Sequence, residues 1–176
     1  MEVVIRDAKA EDVRQIREIY YKTWLATYPN EKHRIRVSDV EDRFKNSFTP
    51  ESLRKGEERI TNLGDTERTL VAEVEGRVVG TSNIRKEKDI NVVGTIYVFP
   101  EYQRGGIGKM LFTEAVKWFE QTHDIRIDVA TYNAQAIAFY ESLGFVATGE
   151  VFEEEQFRMP SGGIIPEQRM IKKSNK

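Results

Sequence analysis

The segment 95–111, TIYVFPEYQRGGIGKML, constrains the fold of this chain more than any other part of it. Its apolar run, 96–99, is too short for a helix and stops at Pro100, so it predicts a strand. Three glycines follow at 105, 106 and 108, and apolar residues at 107, 111, 115 and 119 predict an amphipathic helix from 109 to about 121. Such a turn leaves unpaired N–H groups at the positive end of a helix dipole and can hold a phosphate. The alternative is a tight strand-to-helix turn that simply requires glycine.

Two nucleotide-binding templates fail on this turn. A Walker P-loop needs glycine where Gln103 stands and Ser or Thr where Met110 stands. A Rossmann fingerprint needs a third glycine at Leu111 and a position near the start of a repeated strand–helix fold. Neither nucleotide template therefore explains the turn, and both the phosphate site and the plain tight turn stay open at this point.

Composition and charge exclude several functional classes. The net charge of −2 and the pI near 5.9 argue against nucleic acid or an anionic membrane as the main partner. The absence of cysteine rules out a disulfide and a thiol nucleophile, and His33 and His123 are too far apart in sequence to suggest a metal site. No segment has the apolar length of a membrane span or a leader peptide, so we expect a soluble, cytoplasmic protein.

The first third of the chain has helical periodicity. A strand at 3–5 precedes a helix from about 10 to 25, which Pro29 and Asn30 end. A capping box at 38–41 predicts a second helix, and Thr49 followed by Pro50 predicts a third. Residues 20–65 therefore form a helical, aromatic-rich arm.

The remainder has mainly strand periodicity. Residues 69–75 and 77–85 predict a hairpin around Glu75 and Gly76, and further strands are predicted at 89–98, 125–131, 145–152 and about 164–172. Asn133 caps a helix that ends at Gly144. The strand–helix–strand order across 96–131 predicts a right-handed crossover and a parallel strand pair. At 176 residues we expect one domain.

Two motifs resemble a known family. The pattern Gln103-x-x-Gly106-x-Gly108, after the strand end Tyr97-Val98-x-Pro100, resembles the acetyl-CoA signature of the GNAT superfamily of N-acetyltransferases. The run 133–140, NAQAIAFY, with Gly144-Phe145 after it, supplies a second match. The resemblance covers about 70–152 and is weaker before that, where the segment Trp24-x-x-Thr27-Tyr28 looks similar.

The resemblance implies an α/β (α+β mixed-sheet) GNAT, or acyl-CoA N-acyltransferase, fold. It would form a single domain over 1–176, with splayed parallel strands around the cofactor. The helical acceptor-side arm would cover about 20–65, the acetyl-CoA core about 69–152, and the C-terminal strand about 164–172. The implied activity is acetyl transfer from acetyl-CoA to an amine by direct attack.

The resemblance also implies where the cofactor binds. Backbone N–H groups of 103–109 would hold the CoA pyrophosphate, with added charge from Arg104 and Lys109. The strand edge at 96–98 would pair with pantetheine as an extra strand would, and Asn133 would bind pantetheine or its phosphate as well as capping its helix. The implied cofactor residues are Ile96, Tyr97, Val98, Gln103, Arg104, Gly105, Gly106, Ile107, Gly108, Lys109, Asn133, Phe139 and Tyr140.

For the chemistry, Tyr140 matches the family's general acid. The family's usual strand glutamate is missing from 91–95, NVVGT, so the base is sought elsewhere. Asp128 resembles an acid in the branch that acetylates protein N-termini; its alternative role is a solvent-facing strand carboxylate paired with Arg126, and Glu73 is a weaker candidate for the base. A backbone N–H near Val98 would stabilise the oxyanion.

Several questions stay open at this stage. Trp24 and Tyr28 are candidate acceptor residues, and the acceptor is either a small (poly)amine or a protein N-terminal amine. A catalytically weak CoA-binding, sensing or interaction module is the alternative function. Exposed terminal strands of the sheet favour a homodimer.

Overall fold

The computed structural model describes residues 2–120 and 123–174. These residues form a seven-stranded mixed sheet in the order β1-β2-β3-β4-β5-β7-β6. The strands are β1 (Val4–Asp7), β2 (Glu67–Val74), β3 (Arg77–Lys86), β4 (Asn91–Val98), β5 (Ile125–Ala130), β6 (Val146–Glu153) and β7 (Pro166–Lys172). The helices are α1 (Val13–Thr27), α2 (Val37–Phe44), α3 (Pro50–Thr61), α4 (Ile107–Phe119) and α5 (Ala134–Ser142). The predicted mixed α/β fold is confirmed.

The beginnings of the arm helices differ in detail from the sequence prediction. A 3₁₀ turn, Ala10–Asp12, precedes α1. The α2 helix begins at Val37, and the Asp39 carboxylate accepts the Arg36 N–H at 2.7 Å. The capping box predicted at 38–41 was therefore wrong, because Asp39 and not Glu41 reaches back to the helix start. At α3 the prediction is confirmed, since Thr49 Oγ1 accepts the Ser52 N–H at 3.3 Å.

The parallel strands β4 and β5 diverge after a short ladder. Within the described residues they pair at Asn91 with Ile125 and at Val92 with Arg126, and no further pair follows. Gly94 is an extra residue on β4, since its neighbours Val93 and Thr95 pair with consecutive residues of β3. Such a bulge bends a strand, and this one lies where β4 begins to leave β5. The predicted splay is confirmed.

The two faces of the sheet are covered by different layers. The main core packs the sheet against α4 and α5, includes Leu111, Phe119, Ile127 and Met170, and continues to Ile19 of α1 on the arm side. A second cluster lies under the arm and joins Trp24 and Val40 to Ala130 of β5. Tyr97 of β4 packs against both clusters. No described helix is long and apolar enough to span a bilayer.

Candidate active site

A cavity of about 640 Å³ occupies the gap between β4 and β5. Its wall is formed by β4, β5, the end of α1, the glycine turn and α5. Most of the sequence-predicted site residues line it: Tyr28, Ile96, Tyr97, Val98, Gln103, Arg104, Ile107, Gly108, Asp128, Asn133, Phe139 and Tyr140. Four others, Trp24, Gly105, Gly106 and Lys109, lie outside its lining. The tertiary structure thus brings the two sequence motifs to one cavity.

The glycine turn presents an uncapped helix start to this cavity. Gly106 has φ +83°, a left-handed conformation that favours glycine, and no side chain caps α4. The Met110 N–H donates to the Gly106 carbonyl at 3.0 Å, so the N–H groups of Ile107, Gly108 and Lys109 precede the first intrahelical bond. Unpaired donors at the positive end of a helix suit an anion.

Gly108 leaves room for the ring of Phe139 from α5. A Cβ atom added at Gly108 would lie 3.3 Å from Cζ of Phe139. Both residues line the cavity. A side chain at position 108 would therefore crowd the Phe139 ring where both residues line the cavity.

The edge of β4 beyond Val92 faces the gap. The Phe99 N–H donates to Val79 on β3 at 2.9 Å, so Phe99 points its backbone groups away from the gap. Because successive residues of a strand direct their backbone groups to opposite sides, the groups of Ile96 and Val98 point toward β5. The Val98 carbonyl accepts the Gln103 side-chain N–H at 3.0 Å, which leaves its backbone N–H directed into the gap.

Gln103 and Asn133 hold the walls of the cavity in place. Gln103 joins β4 to α5, since its amide oxygen also accepts the Gln135 Nε2–H at 3.1 Å. Asn133 Oδ1 accepts the Ala136 N–H at 3.0 Å, which confirms the predicted helix cap. Both side chains line the cavity, so their structural bonds do not remove them from it.

Tyr140 is buried on α5 and lines the cavity with 5% of its surface exposed. Among the described residues no group forms a hydrogen bond with its hydroxyl. Burial raises its pKa well above the ordinary value, and the neighbouring Tyr97 raises it further. The hydroxyl therefore stays protonated at neutral pH and is free to donate into the cavity.

Asp128 lines the cavity but is held by cations. Its carboxylate accepts the Arg169 Nε–H at 2.9 Å, and Arg126 lies 3.7 Å away. Arg169 also bonds to Glu150 on β6. The ion pair with Arg126 that the sequence suggested is therefore present, and a closer one with Arg169 lies beside it. Glu73, the weaker candidate base, pairs with Arg6 and does not line the cavity.

Comparison with known proteins identifies the family. The sequence profile described as the acetyltransferase (GNAT) family matches residues 13–145. The chain belongs to the GNAT family. It is 29% identical over 154 residues to phosphinothricin N-acetyltransferase of Streptomyces viridochromogenes, covering 84% of this chain and 76% of that protein.

Solved structures share the GNAT fold over nearly the whole chain. The PaiA N-acetyltransferase of Thermoplasma acidophilum, solved with coenzyme A, has a TM-score of 0.73 at 22% identity and covers 98% of this chain and 99% of that one. YncA of Salmonella typhimurium, solved with its cofactor acetyl-CoA, has a TM-score of 0.66 at 23% identity and covers 100% and 96%. The family match and the Streptomyces viridochromogenes relative together make this GNAT protein an acetyltransferase.

Tyrosines connect the arm of this GNAT enzyme to the splayed strand. The hydroxyl groups of Tyr28 and Tyr97 lie 3.0 Å apart, and the Tyr132 hydroxyl donates to the Tyr28 carbonyl at 3.1 Å. Tyr20 packs edge-on against Tyr97, with ring centroids 4.8 Å apart. Phenol rings therefore join the arm to the β4 side of the GNAT cavity.

Trp24, predicted as an acceptor residue, lies behind these rings. Its ring packs against Tyr28, with centroids 4.5 Å apart, and under the Arg43 guanidinium at 4.8 Å. It is 8% exposed and does not line the GNAT cavity. In this position Trp24 supports Tyr28.

Sequence reasoning missed two residues near the GNAT cavity. Thr23, on α1, lines it, and its buried hydroxyl lacks a hydrogen-bond partner among the described residues. Glu167, on β7, pairs with the cavity residue Ala130. Thr23 could have been found from sequence, because it lies one helical turn before Thr27 and Tyr28. Glu167 could not, because the strand order that places it beside the cavity has no local sequence pattern. The described part of the chain contains no cluster of three or more potential metal ligands.

Proposed function

We propose that this acetyltransferase moves an acetyl group from acetyl-CoA to an amine by direct attack. One observation carries the proposal: a single cavity joins an uncapped helix N-terminus, a free strand edge and the buried Tyr140 hydroxyl. The helix N-terminus can bind an anion, the strand edge can form hydrogen bonds with an amide-bearing chain, and the hydroxyl can donate a proton. The lack of cysteine agrees with a reaction that needs no acyl-enzyme.

The described residues fit acetyl-CoA. We assign the pyrophosphate to the backbone N–H groups of the glycine turn, with Arg104 and Lys109 supplying positive charge. The gap-facing groups of Ile96 and Val98 would bond to pantetheine by β-augmentation. Asn133 and Phe139 would contact the same arm. Thr23 offers an unsatisfied hydroxyl on the opposite wall.

When bound, acetyl-CoA supplies the reactive thioester carbonyl. The Val98 N–H would donate to the carbonyl oxygen as it gains negative charge. Tyr140 would donate a proton to the leaving sulfur. Asp128 is the base that the family resemblance suggests, and replacing it by asparagine tests that role. Tyr28 would contact the acceptor.

The acceptor is an amine, for which we retain two classes. A small amine or polyamine suits the enclosed wall of phenol rings. The relative from Streptomyces viridochromogenes is named phosphinothricin N-acetyltransferase, which favours this class. A protein N-terminal amine is the other class. A panel of amines and N-terminal peptides, assayed by release of free CoA thiol, distinguishes them.

Calorimetric titration with acetyl-CoA tests the proposal as a whole. We expect one binding site per chain, and absence of binding at millimolar acetyl-CoA would refute the proposal. The alternative, a CoA-sensing or interaction module, requires tight CoA binding together with no transfer to any amine. The missing strand glutamate at 91–95 is the observation that favours it.

We further propose a single domain over residues 1–176 that acts in the cytoplasm and forms a homodimer through an edge of the sheet. The exposed valines of the edge strand β6, Val146 at 70% and Val151 at 60%, support the last point. Light scattering after chromatography tests it, with Val151→Lys expected to yield a monomer.

A further inference from the structure

Glu167 lies beside the cavity on its acceptor side. It pairs with Ala130 of β5, a cavity residue. Residues directly opposite each other in an antiparallel pair place their side chains on one face, with Cβ atoms about 5 Å apart. The neighbouring pair on that face, Asp128 and Arg169, is in contact at 2.9 Å. The Glu167 side chain therefore leaves the sheet on the face of Asp128 and Ala130, under the arm.

The surroundings of Glu167 are phenolic and acidic. Burial raises the pKa of Tyr132 to about 12, and the charge of Glu167 contributes to that rise, as it does to the raised pKa of Tyr28. Tyr28 comes from the end of α1 and Tyr132 from the loop after β5. The charged or titratable groups that face Glu167 from the elements around it are Tyr28, Tyr132, Asp128, Glu154 and Arg169.

No ion pair neutralises Glu167 within residues 2–120 and 123–174. Arg169, the cation on the same face of β7, is engaged by Asp128 and Glu150. Two anionic neighbours, Glu154 and Asp128, act on Glu167 instead. A half-buried carboxylate without a cation, beside a cavity, attracts a positively charged ligand.

We propose that Glu167, rather than Asp128, holds the acceptor's ammonium group and takes the proton that the amine loses before it attacks. This inference rests on the proposed acetyl transfer. Both carboxylates share one face of the sheet, but the oxygens of Asp128 already accept bonds from Arg169. Glu167 does not itself line the cavity but stands opposite the lining residue Ala130. Among the described residues no cation occupies its oxygens, and a carboxylate can take a proton through one water.

The protons balance as follows. The ammonium passes one proton to Glu167, which later releases it to solvent. The neutral amine forms the new N–C bond as the C–S bond of the thioester breaks. The sulfur takes the Tyr140 proton and leaves as a thiol, and the nitrogen returns its second proton to Tyr140. The net reaction yields an amide, free CoA and one proton.

Burial raises the pKa of Glu167 to about 7, with smaller contributions from Glu154 and Asp128. A proton acceptor is most effective when its pKa lies near the working pH. The activity should therefore rise with pH through about 7 as Glu167 ionises. An amine in free solution has a pKa near 10, so it is present as an ammonium group at neutral pH. A Glu167 carboxylate that is ionised at pH 7.5 can bind this ammonium group by charge and then accept its proton.

The pH–rate profile of Glu167→Gln tests the inference. We expect kcat/KM for an amine to fall about 100-fold. The rising limb of the profile, which is the increase in kcat/KM with pH near 7, should disappear. The Kd for acetyl-CoA should stay within about twofold, since the glycine turn and β4 are untouched. Asp128→Asn is measured in parallel. A limb that survives in Glu167→Gln but disappears in Asp128→Asn overturns the inference and returns the role to Asp128.

A second variant keeps the test valid if Glu167→Gln folds poorly. Glu154→Gln removes one neighbouring charge, so the limb should move to lower pH while its height is retained. A limb that does not move contradicts the assignment. Glu51→Gln, on the exposed surface of α3, is the matched control and should leave the profile unchanged.

The outcomes separate this inference from the proposed function. If the wild-type protein binds no acetyl-CoA and releases no thiol with any amine, both proposals fail. If wild-type transfer proceeds and Glu167→Gln retains the limb, the inference about Glu167 alone fails.

Discussion

The hydroxyl groups of Tyr28 and Tyr97 lie 3.0 Å apart and join the end of α1 to the splayed part of β4. Both residues line the cavity, and their burial raises the pKa of each phenol. This contact fixes the arm against the strand whose free edge we assign to pantetheine. The arm wall of the cavity is therefore linked directly to its β4 wall.

The stability losses caused by removing the two hydroxyl groups of this pair should not be additive. Tyr28→Phe leaves the Tyr97 hydroxyl without this partner in a buried site, and we expect the free energy of unfolding to fall by about 1–3 kcal/mol. The double variant Tyr28→Phe/Tyr97→Phe should lose less than the sum of the two single variants. Urea denaturation of all four proteins measures the coupling, and strict additivity would show that the hydrogen bond contributes nothing.

Tyr140→Phe should separate cofactor binding from turnover. The phenyl ring preserves the packing against Phe139 and Phe145, so the Kd for acetyl-CoA should not change. Loss of the proton donor should lower kcat about 100-fold. Stopped-flow or thiol-release assays measure the rate, with Tyr21→Phe on the outer arm as a control. Unchanged kcat would remove Tyr140 from the chemistry.

Gly106→Ala should weaken acetyl-CoA binding through the backbone. A non-glycine residue at φ +83° costs about 1–2 kcal/mol, and relief of that strain would turn the α4 N–H groups away from the phosphate. Two controls separate the causes. Gly76→Ala has a similar strain at φ +78° in the hairpin turn and should lower Tm without changing affinity, whereas Gly64→Ala, with no described atom within 4 Å of an added Cβ, should change neither.

The stability of the protein should depend on the ionisation of Glu167. Its pKa is raised to about 7 in the folded chain from an ordinary value near 4.5, so folding favours its protonated form. The stabilisation relative to the ionised form is complete below about pH 4.5 and disappears as pH rises through about 7. Glu167→Gln should therefore melt higher than wild type at pH 8.5 and show little gain at pH 5. Equal Tm differences at the two pH values would contradict the raised pKa.

Much of this site was readable from local sequence because its parts have local physical causes. The glycine at a left-handed position, the cap at Asn133 and the Thr49–Pro50 helix start each depend on a few adjacent residues. The predicted positions of the strands agree with the structure to within a few residues because alternating burial is a short-range pattern. The capping box at 38–41 failed because Asp39 and Glu41 are both plausible partners, and only the chain direction after Arg36 selects between them.

By itself, the sequence determined the glycine turn, the helix cap, the hairpin and the two motifs that mark a GNAT protein. The tertiary structure determined which residues become their neighbours, because the order of strands in the sheet brings together residues that are far apart in the chain. Placing β7 between β5 and β6 brings Arg169 to Asp128 and Glu167 to Ala130, contacts that span 41 and 37 positions in the numbering. No local pattern encodes that arrangement, and it selects which carboxylate is neutralised and which one is left to meet an amine.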